Sequence, residues 1–249
     1  MILQELQLSH YRNYEELAVT FAPGINVLIG ENAQGKTNLL EAIYLLAFTK
    51  SHRTAKDREL IGWHQKLARV SGVVERASGR LPLEVQISTS GKRVKVNHLF
   101  QKRLSTYVGN LNVVLFAPED LALVKGAPVN RRQFMDMEFG QMSSKYLYNV
   151  SRFNQQLAQR NAYLRQFKYG RQSDRILLGV ITDQLASVGG EVVVARQQLV
   201  KRLGKWAAEL HHHISKQKEE LSLQYVSQVE VDDQTTEEEA VAQPRRLYS

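Results

Sequence analysis

The chain of 249 residues contains no cysteine, which excludes disulfide bonds and cysteine-ligated zinc sites. It has no long apolar run either: the longest, from Ala42 to Phe48, is far shorter than the roughly 20 residues that cross a membrane. The start, Met1 to Glu5, lacks the basic region and the apolar core of a signal peptide. Hydrophobic residues make up 43% of the chain, which is enough for a core. Since neither a membrane span nor a signal peptide is visible, we expect a soluble cytoplasmic protein with no membrane partner.

Acidic residues are scarce in the middle of the chain. Between residues 50 and 215, Lys and Arg number 27 whereas Asp and Glu number 12, and the whole chain has a net charge of +8. A basic field of this size favours a polyanionic partner such as nucleic acid. A solvated basic surface that maintains solubility is the alternative interpretation.

The most informative motif is a phosphate-binding loop. It follows the pattern G-x-x-x-x-G-K-T, and its residues are Gly30, Glu31, Asn32, Ala33, Gln34, Gly35, Lys36 and Thr37. Glycines allow successive backbone amides to face one anion, and a following helix adds its positive end. Lys36 is predicted to reach the β- and γ-phosphates of ATP, and the Thr37 hydroxyl to ligate Mg²⁺. The alternative is a glycine-rich turn with a surface lysine.

The segments around this loop match the context that it requires. Residues 25–29 are predicted to form a short buried strand, and residues 37–48 a helix. Elsewhere in residues 1–125, period-2 alternation predicts strands, and a continuous apolar run at 112–116 predicts a strand covered on both faces. The alternating residues are Ile2, Leu6 and Leu8; Leu17, Val19 and Phe21; and Leu83, Val85, Ile87, Val94 and Val96 around a turn at Gly91. The fold class is therefore expected to be α/β with antiparallel or mixed sheets.

Beyond Pro128 the apolar spacing becomes helical. Two long amphipathic helices, separated at Tyr169-Gly170, predict an antiparallel helical hairpin, and Gly189-Gly190 predicts a kink or a close helix crossing. Alternation at 221–225 indicates a return to a sheet, and the acidic segment 230–239 is expected to be disordered. The predicted domains are the first part of a nucleotide-binding head (1–125), a helical arm (126–220), and a return strand with a tail (221–249).

Several polar clusters have both a functional and a structural interpretation. Arg12 follows the first strand, and its guanidinium could contact nucleotide phosphates in a bidentate manner. Residues 51–54 could line a nucleotide or a DNA groove, or form a solvated loop. Residues 115–120 imitate a Walker B motif, but Pro118 interrupts the strand that such a motif needs. The three consecutive histidines 211–213 face different sides of a helix and are not expected to bind a metal.

Five segments together resemble the RecF family of DNA replication and repair proteins. They occur in the same order as in the family, from residue 1 to about residue 170. The segments are Tyr11-Arg12-Asn13-Tyr14, Gly30 to Asn38, Ser51-His52-Arg53-Thr54, Phe116 to Leu121, and Val124 to Pro128 followed by Arg131 to Asp136. The linked set is far more specific than the phosphate loop alone.

The resemblance implies a P-loop ABC-type ATPase head, similar to those of SMC proteins, with a helical-hairpin arm. It implies binding of ATP with Mg²⁺, binding of single-stranded, gapped or double-stranded DNA, and an ATP-dependent homodimer of the full-length protein. It also implies work with RecO and RecR in recombinational gap repair, replication restart and SOS induction. Residues Gly30 to Thr37 would hold the phosphates, Arg12 would flank them, and Asn38 would help to position the loop or the metal.

One departure from the family pattern affects the expected activity. The family is implied to be a weak DNA-stimulated ATPase, yet no Ser-x-Gly signature motif and no Walker B strand ending in acids follow in the expected order. The sequence therefore resembles a C-terminally truncated member, whose central sheet would lack strands. Because phosphoryl transfer needs placed metal ligands and an oriented water, we expect poor hydrolysis and assign no catalytic residue. The alternatives are a non-catalytic DNA-binding fragment, a metabolic P-loop kinase, and a GTPase-type switch, for which no Asn-Lys-x-Asp motif is present.

Overall fold

The computed structural model describes residues 1–168 and 174–227 of the chain. It divides into two compact units, Met1–Ser144 and Lys145–Ser249. The first unit contains an antiparallel sheet and the helix after the phosphate loop, and the second is helical. The division falls later than the 125/126 boundary that the sequence suggests, because Met137 of the intervening helix packs against the core of the first unit.

The sheet of the first unit has six strands in the order β2-β1-β3-β4-β5-β6, and all neighbours are antiparallel. The strands are β1 (Ile2–Tyr11), β2 (Tyr14–Thr20), β3 (Leu67–Arg76), β4 (Gly79–Ser88), β5 (Gly91–Val96) and β6 (Leu99–Phe100). The period-2 predictions for β2, β4 and β5 are confirmed, since their alternating apolar residues pack in or against the core. In β1 a bulge between Leu3 and Glu5 shifts the register, so Leu3 packs against the core and Ile2 is exposed.

Helix α1 (Lys36–Phe48) packs with the sheet in one hydrophobic core, which confirms the predicted helix. Leu45 and Leu46 of α1 are fully buried, as are Val70 of β3 and Val85 of β4. Burying one such aliphatic side chain contributes about 1.5–3 kcal/mol. The packing of Leu45 and Leu46 in the same core as the strands therefore holds α1 in place against the sheet. The start of α1 is the position that matters for the phosphate loop.

The two buried strands predicted at 25–29 and 112–116 are wrong. Neither segment belongs to a ladder in the described chain. Ile25 and Ile29 are each 91% exposed, and Phe116 is 95% exposed. A strand requires a hydrogen-bonded neighbour for its backbone groups, and neither segment pairs with a strand of the described chain. At Val113 the Gln141 side chain serves instead: its Oε1 accepts from the Val113 amide at 2.7 Å, and its Nε2 donates to the Val113 carbonyl at 3.1 Å.

Three short 3-10 turns and two helices complete the first unit. The turns are Asp57–Leu60, Leu104–Thr106 and Pro118–Leu121, and the helices are α2 (Ala122–Lys125) and α3 (Pro128–Met142). Helix α3 begins at a proline, whose missing amide is not needed in a first turn.

The second unit consists mainly of α4 (Ser144–Lys168) and α5 (Arg175–Ile214). The predicted hairpin helices are therefore present, and the predicted break at Tyr169-Gly170 lies outside the described residues. Helix α5 continues through Gly189, where a Cβ would lie 3.3 Å from Phe153 of α4, so the glycine marks a close crossing. Residues 221–225 pair with no strand among the described residues, and Leu223 packs near Gly204 of α5. The acidic segment 230–239 lies outside the described residues.

By length and composition alone, α5 could cross a membrane, but 44% of its most apolar window is buried within the structure. Its buried residues recur at helical spacing, including Ile181, Leu185, Val188 and Val192. An apolar stripe that is covered by protein is typical of a core helix.

Candidate nucleotide site

The phosphate loop ends at Gly35, which caps α1 in the left-handed conformation with a φ of 98°. A glycine is required here for two reasons: the positive φ, and a close approach in which a Cβ would lie 2.7 Å from the Tyr14 hydroxyl. No side chain in the described chain caps the first turn of α1. The first backbone amides of the helix are therefore available to an anion, and the helix dipole favours one.

Lys36 and Thr37 follow directly. The Lys36 ammonium donates to the carbonyl oxygens of Gly30 and Glu31, at 2.6 Å each, so the lysine bends back over the loop. Thr37 is exposed to solvent at the helix start. This arrangement places a cation and a hydroxyl at the mouth of the loop.

The structure brings three of the sequence-predicted segments together around the start of α1. Asn38 donates from Nδ2 to Oδ1 of Asn13, in the turn between β1 and β2, at 2.8 Å. Its Oδ1 accepts from Nη1 of Arg53 at 2.9 Å. The β1–β2 turn, the first turn of α1 and the 51–54 segment are thus linked by one amide side chain.

Arg12 lies one step further along this network and binds a residue that sequence reasoning did not single out. Its Nε donates to Glu41 Oε2 at 2.8 Å, its Nη2 to Glu41 Oε1 at 2.6 Å, and its Nη1 to the Glu59 carbonyl at 2.9 Å. The Glu41 side chain is completely buried. The available signal was one acid among the apolar residues of α1, Leu39, Leu40, Ala42 and Ile43.

The carboxylate of Glu41 lies among the polar side chains of Arg12, Ser51, Arg53 and Tyr11. Ser51 donates to its Oε1 at 2.5 Å, and Arg53 lies 3.7 Å from its Oε2. Burial alone would raise the pKa of Glu41, but hydrogen bonds from Arg12 and Ser51 and the charges of Arg12 and Arg53 lower that pKa overall. The Glu41 contact in turn raises the pKa of the Arg12 guanidinium, and burial beside this pair raises the pKa of Tyr11.

The Walker B imitation does not form a strand-end acid. Asp120 lies in the 3-10 turn Pro118–Leu121, and its Oδ2 accepts from the Ala117 amide at 2.8 Å. The apolar run before it forms no ladder in the described chain, so the carboxylate caps its own turn. Arg131 likewise donates to the carbonyls of Leu123, within α2, and of Gly126, which follows α2. Through these hydrogen bonds Asp120 and Arg131 each stabilise the local backbone.

A cavity of about 860 Å³ lies beside the loop, and its lining includes Lys36 and Thr37. Most of its other lining residues are apolar, among them Val27, Leu40 and Ile43. The polar groups suited to phosphate are therefore those of the loop, and the apolar part of the cavity belongs to the exposed surface next to residues 25–29.

The residues at the loop fit the phosphates of a nucleotide. The glycine cap, the uncapped first turn and the adjacent lysine supply donors, and Thr37 supplies one oxygen. Mg²⁺ in such sites is held by one or two protein ligands together with phosphate oxygens and water. The described residues contain no group of three or more His, Asp and Glu side chains that could hold a metal by themselves.

Comparison with known proteins gives one family. A family model described as an AAA domain matches residues 5–239. The chain is 99% identical over 249 residues to the DNA replication and repair protein RecF of Limosilactobacillus fermentum, of which it covers 67%. It is 60% identical over 248 residues to RecF of Limosilactobacillus reuteri, of which it covers 66%. The chain thus spans about two thirds of the length of these curated relatives.

Solved structures agree with the sequence relatives. A structure of the recombination mediator protein RecF with ATP, in the RecFOR pathway, matches 98% of this chain and 65% of its own with a TM-score of 0.91 and 28% identity. A second RecF structure, described as RecF-ATPrS, matches 99% of this chain and 66% of its own with a TM-score of 0.92. Sequence identity along the whole chain and this agreement in fold lead to the same conclusion, and the chain belongs to the RecF family.

Proposed function

We propose that this chain binds ATP with Mg²⁺ at Gly30–Thr37 and serves in DNA replication and repair. The observation that carries the proposal is the start of α1, where an uncapped helix turn, a left-handed Gly35 and Lys36 stand together in a member of the RecF family. The backbone amides of the loop bind the phosphates, Lys36 reaches the β- and γ-phosphates, and Thr37 ligates Mg²⁺. Arg12 flanks the phosphates, and Asn38 helps to position the loop or the metal; their hydrogen bonds to Glu41 and Asn13 also hold the β1–β2 turn in place.

DNA is the proposed macromolecular partner. The excess of Lys and Arg over Asp and Glu between residues 50 and 215 supports a polyanion, and the names of the relatives support DNA. We include single-stranded, gapped and double-stranded forms. The same proposal includes RecO and RecR as partners, with roles in recombinational gap repair, replication restart and SOS induction. It also includes an ATP-dependent homodimer of the full-length protein and a cytoplasmic location. It draws support from the RecFOR pathway named for the ATP-bound relative.

We propose that hydrolysis by residues 1–249 is slow. Transfer of the γ-phosphoryl group requires an acid that positions metal and water, and Asp120 instead accepts from the Ala117 amide. A second candidate function is DNA binding without catalysis. The exposure of residues 25–29 favours it, because an unpaired segment next to the loop weakens the support that catalysis needs. The kinase and GTPase alternatives gain no support from the family.

The test is a pair of titrations on the intact chain. Mg-ATP is expected to bind by calorimetry and to lose its binding in Lys36→Ala, while Lys50→Ala, an exposed lysine after α1, binds as the parent does. Gapped DNA is then titrated with and without ATP. ATP-dependent affinity supports the main proposal and ATP-independent affinity the second candidate. Absence of ATP binding by a folded chain would overturn the proposed nucleotide site.

A further inference from the structure

The six-stranded sheet ends at β6, and one side of this edge strand has no neighbouring strand in the described chain. The Gln101 amide donates to the Val94 carbonyl at 2.9 Å, so the backbone groups of Gln101 face β5. In an antiparallel ladder the groups of the adjacent residue point the other way, and the amide and carbonyl of Phe100 therefore face outward. A strand laid against β6 would meet one donor and one acceptor at Phe100.

Apolar side chains flank this outward-facing backbone. Leu99 is 68% exposed and Phe100 is 59% exposed, and as successive strand residues they lie on opposite faces of the sheet. Leu104, which begins the 3-10 turn after β6, is also exposed. The Lys95 ammonium lies 4.8 Å from the centre of the Phe100 ring, so a cation–π contact orients the ring. Exposed apolar residues beside an unpaired strand are what a segment added by β-augmentation buries.

The same edge is basic. Residues 85–118 contain five Lys and Arg and no Asp or Glu. Two of these cations have acidic partners: the Lys92 ammonium lies 2.7 Å from an Asp57 oxygen, and that of Lys95 lies 2.8 Å from a Glu84 oxygen. The other three are exposed, and they are Arg93 in β5 and Lys102 and Arg103 just after β6. An excess of positive charge therefore accompanies the exposed apolar side chains.

These properties distinguish between three kinds of partner. A second copy that paired β6 with β6 would bring the same cations together, and like charges across a strand pair are destabilising. DNA phosphates suit the cations, but they leave Leu99 and Leu104 exposed to water. An extended peptide that carries carboxylates and apolar side chains satisfies the backbone, the apolar residues and the cations at once.

We propose that the β6 edge binds an extended acidic segment of a partner protein. The segment adds a strand beside Phe100, packs apolar side chains against Leu99 and Leu104, and places its carboxylates near Lys102 and Arg103. None of these residues lines the cavity beside the phosphate loop. This surface is therefore separate from the proposed nucleotide site, and failure of either proposal leaves the other standing.

The test uses the intact chain and a fluorescent peptide of about ten residues, alternating aspartate and valine, with fluorescence anisotropy as the readout. Lys102→Glu with Arg103→Glu is expected to weaken peptide binding at least about tenfold. Lys50→Glu with Lys66→Glu, two exposed lysines outside β5 and β6, makes the same change in net charge and should weaken binding less than about twofold. A peptide with serine in place of valine should bind at least about tenfold more weakly, because it buries no apolar surface.

The backbone contact has its own matched pair of variants. Phe100→Ala removes the ring, and Phe100→Pro removes the ring together with the outward amide, which an edge strand tolerates. The proline variant is expected to bind about three- to tenfold more weakly than the alanine variant, through the loss of one hydrogen bond. If Phe100→Pro does not fold, the peptide is N-methylated at alternate amides instead. Methylation of one set should abolish binding and methylation of the other should not; equal losses in both sets overturn strand addition.

Other outcomes also overturn the proposal. They are peptide affinity that is unchanged in Lys102→Glu with Arg103→Glu, DNA affinity that falls in this variant while the parent ignores the peptide, and self-association of the chain that this variant abolishes. RecF of Limosilactobacillus fermentum, of which this chain covers 67%, is titrated alongside. Peptide binding by the chain but not by this longer relative would show that the edge is covered in the whole protein, and would overturn the proposal as well.

Discussion

The guanidinium of Arg12 binds both oxygens of the Glu41 carboxylate, and Glu41 is completely buried one turn into the helix that follows the phosphate loop. This pair connects the β1–β2 turn to α1. Because the turn also contributes Asn13 to the Asn38 network, the stability of the pair and the shape of the nucleotide site are coupled.

Replacing one partner of this pair is expected to be costly. Glu41→Gln leaves the Arg12 charge without its partner, so the free energy of unfolding should fall by about 3–5 kcal/mol. Urea unfolding measures it, with Glu16→Gln, an exposed acid of β2, as the control that should change little. Replacing both partners with apolar residues, Arg12→Met with Glu41→Leu, should recover most of the loss. A double variant as unstable as Glu41→Gln would contradict this account.

The same pair predicts a pH dependence. The pKa of Glu41 is lower in the folded protein than its usual value of 4.5, so its contribution to stability is fully present above that value. The contribution is lost as the pH falls toward the folded-state pKa. Burial raises the pKa of Glu138 and gives a change of the opposite sign. The difference in unfolding free energy between the parent and Glu41→Gln isolates the effect of Glu41, because Glu138 is present in both. This difference should shrink below about pH 4.5 and stay level above about pH 6. A difference that grows in acid would exclude it.

Gly35 should tolerate no side chain. Alanine there must adopt the positive φ and also places a Cβ 2.7 Å from the Tyr14 hydroxyl and 2.9 Å from Asn13 Nδ2. Gly24→Ala is the matched control, because Gly24 has a φ of +86° but a Cβ added there would meet nothing within 4 Å. We expect about 1 kcal/mol of destabilisation for Gly24→Ala and a larger loss for Gly35→Ala. ATP affinity, measured alongside, should fall only in the latter; equal effects of the two changes would argue against the contact.

Two glycines of α5 make a second matched pair. A Cβ at Gly179 meets none of the described residues within 4 Å, so Gly179→Ala should raise the unfolding free energy by about 0.5–1 kcal/mol through helix propensity alone. A Cβ at Gly189 would lie 3.3 Å from Phe153, so Gly189→Ala should lose that gain and Gly189→Val should be clearly destabilising. Thermal unfolding of the three variants is the measurement. A gain at Gly189 equal to that at Gly179 would show that the helices do not cross closely there.

DNA binding should depend on salt and on exposed cations of α5. Arg202 and Lys205 are exposed and one turn apart. If they contact phosphates, changing both to Gln should weaken binding uniformly across sequences and reduce the slope of log affinity against log salt by about 1–2. Lys216→Gln with Lys218→Gln, in the acidic C-terminal part, is the control of equal charge. A slope that is unchanged in the α5 variant would assign the phosphate contacts to other residues.

Much of this architecture follows from local pattern. The phosphate loop, α1 and the β4–β5 hairpin are specified by residues close in sequence: Gly35-Lys36-Thr37, the apolar spacing after them, and alternation around Gly91. The long helices α4 and α5 follow for the same reason, since a stripe of apolar residues at helical spacing needs no distant partner to be recognised.

What the sequence could not supply depends on neighbours in space. Residues 25–29 and 112–116 have the composition of buried strands, but a ladder needs a second strand, and composition does not reveal whether one is present. The bulge between Leu3 and Glu5 depends on the register of β1 against β3. The role of Glu41 depends on Arg12, Ser51 and Arg53 meeting it from two other segments of the chain.

Before any nucleotide arrives, the Lys36 ammonium already has two carbonyl partners in its own loop. Binding of a phosphate by Lys36 therefore requires it to give up these two hydrogen bonds. The carbonyl oxygens of Gly30 and Glu31 then accept hydrogen bonds from water instead. The binding enthalpy will therefore be less favourable than the new Lys36–phosphate contacts alone would give. The association rate will also depend on how fast the Lys36 side chain reorients away from its two carbonyl partners.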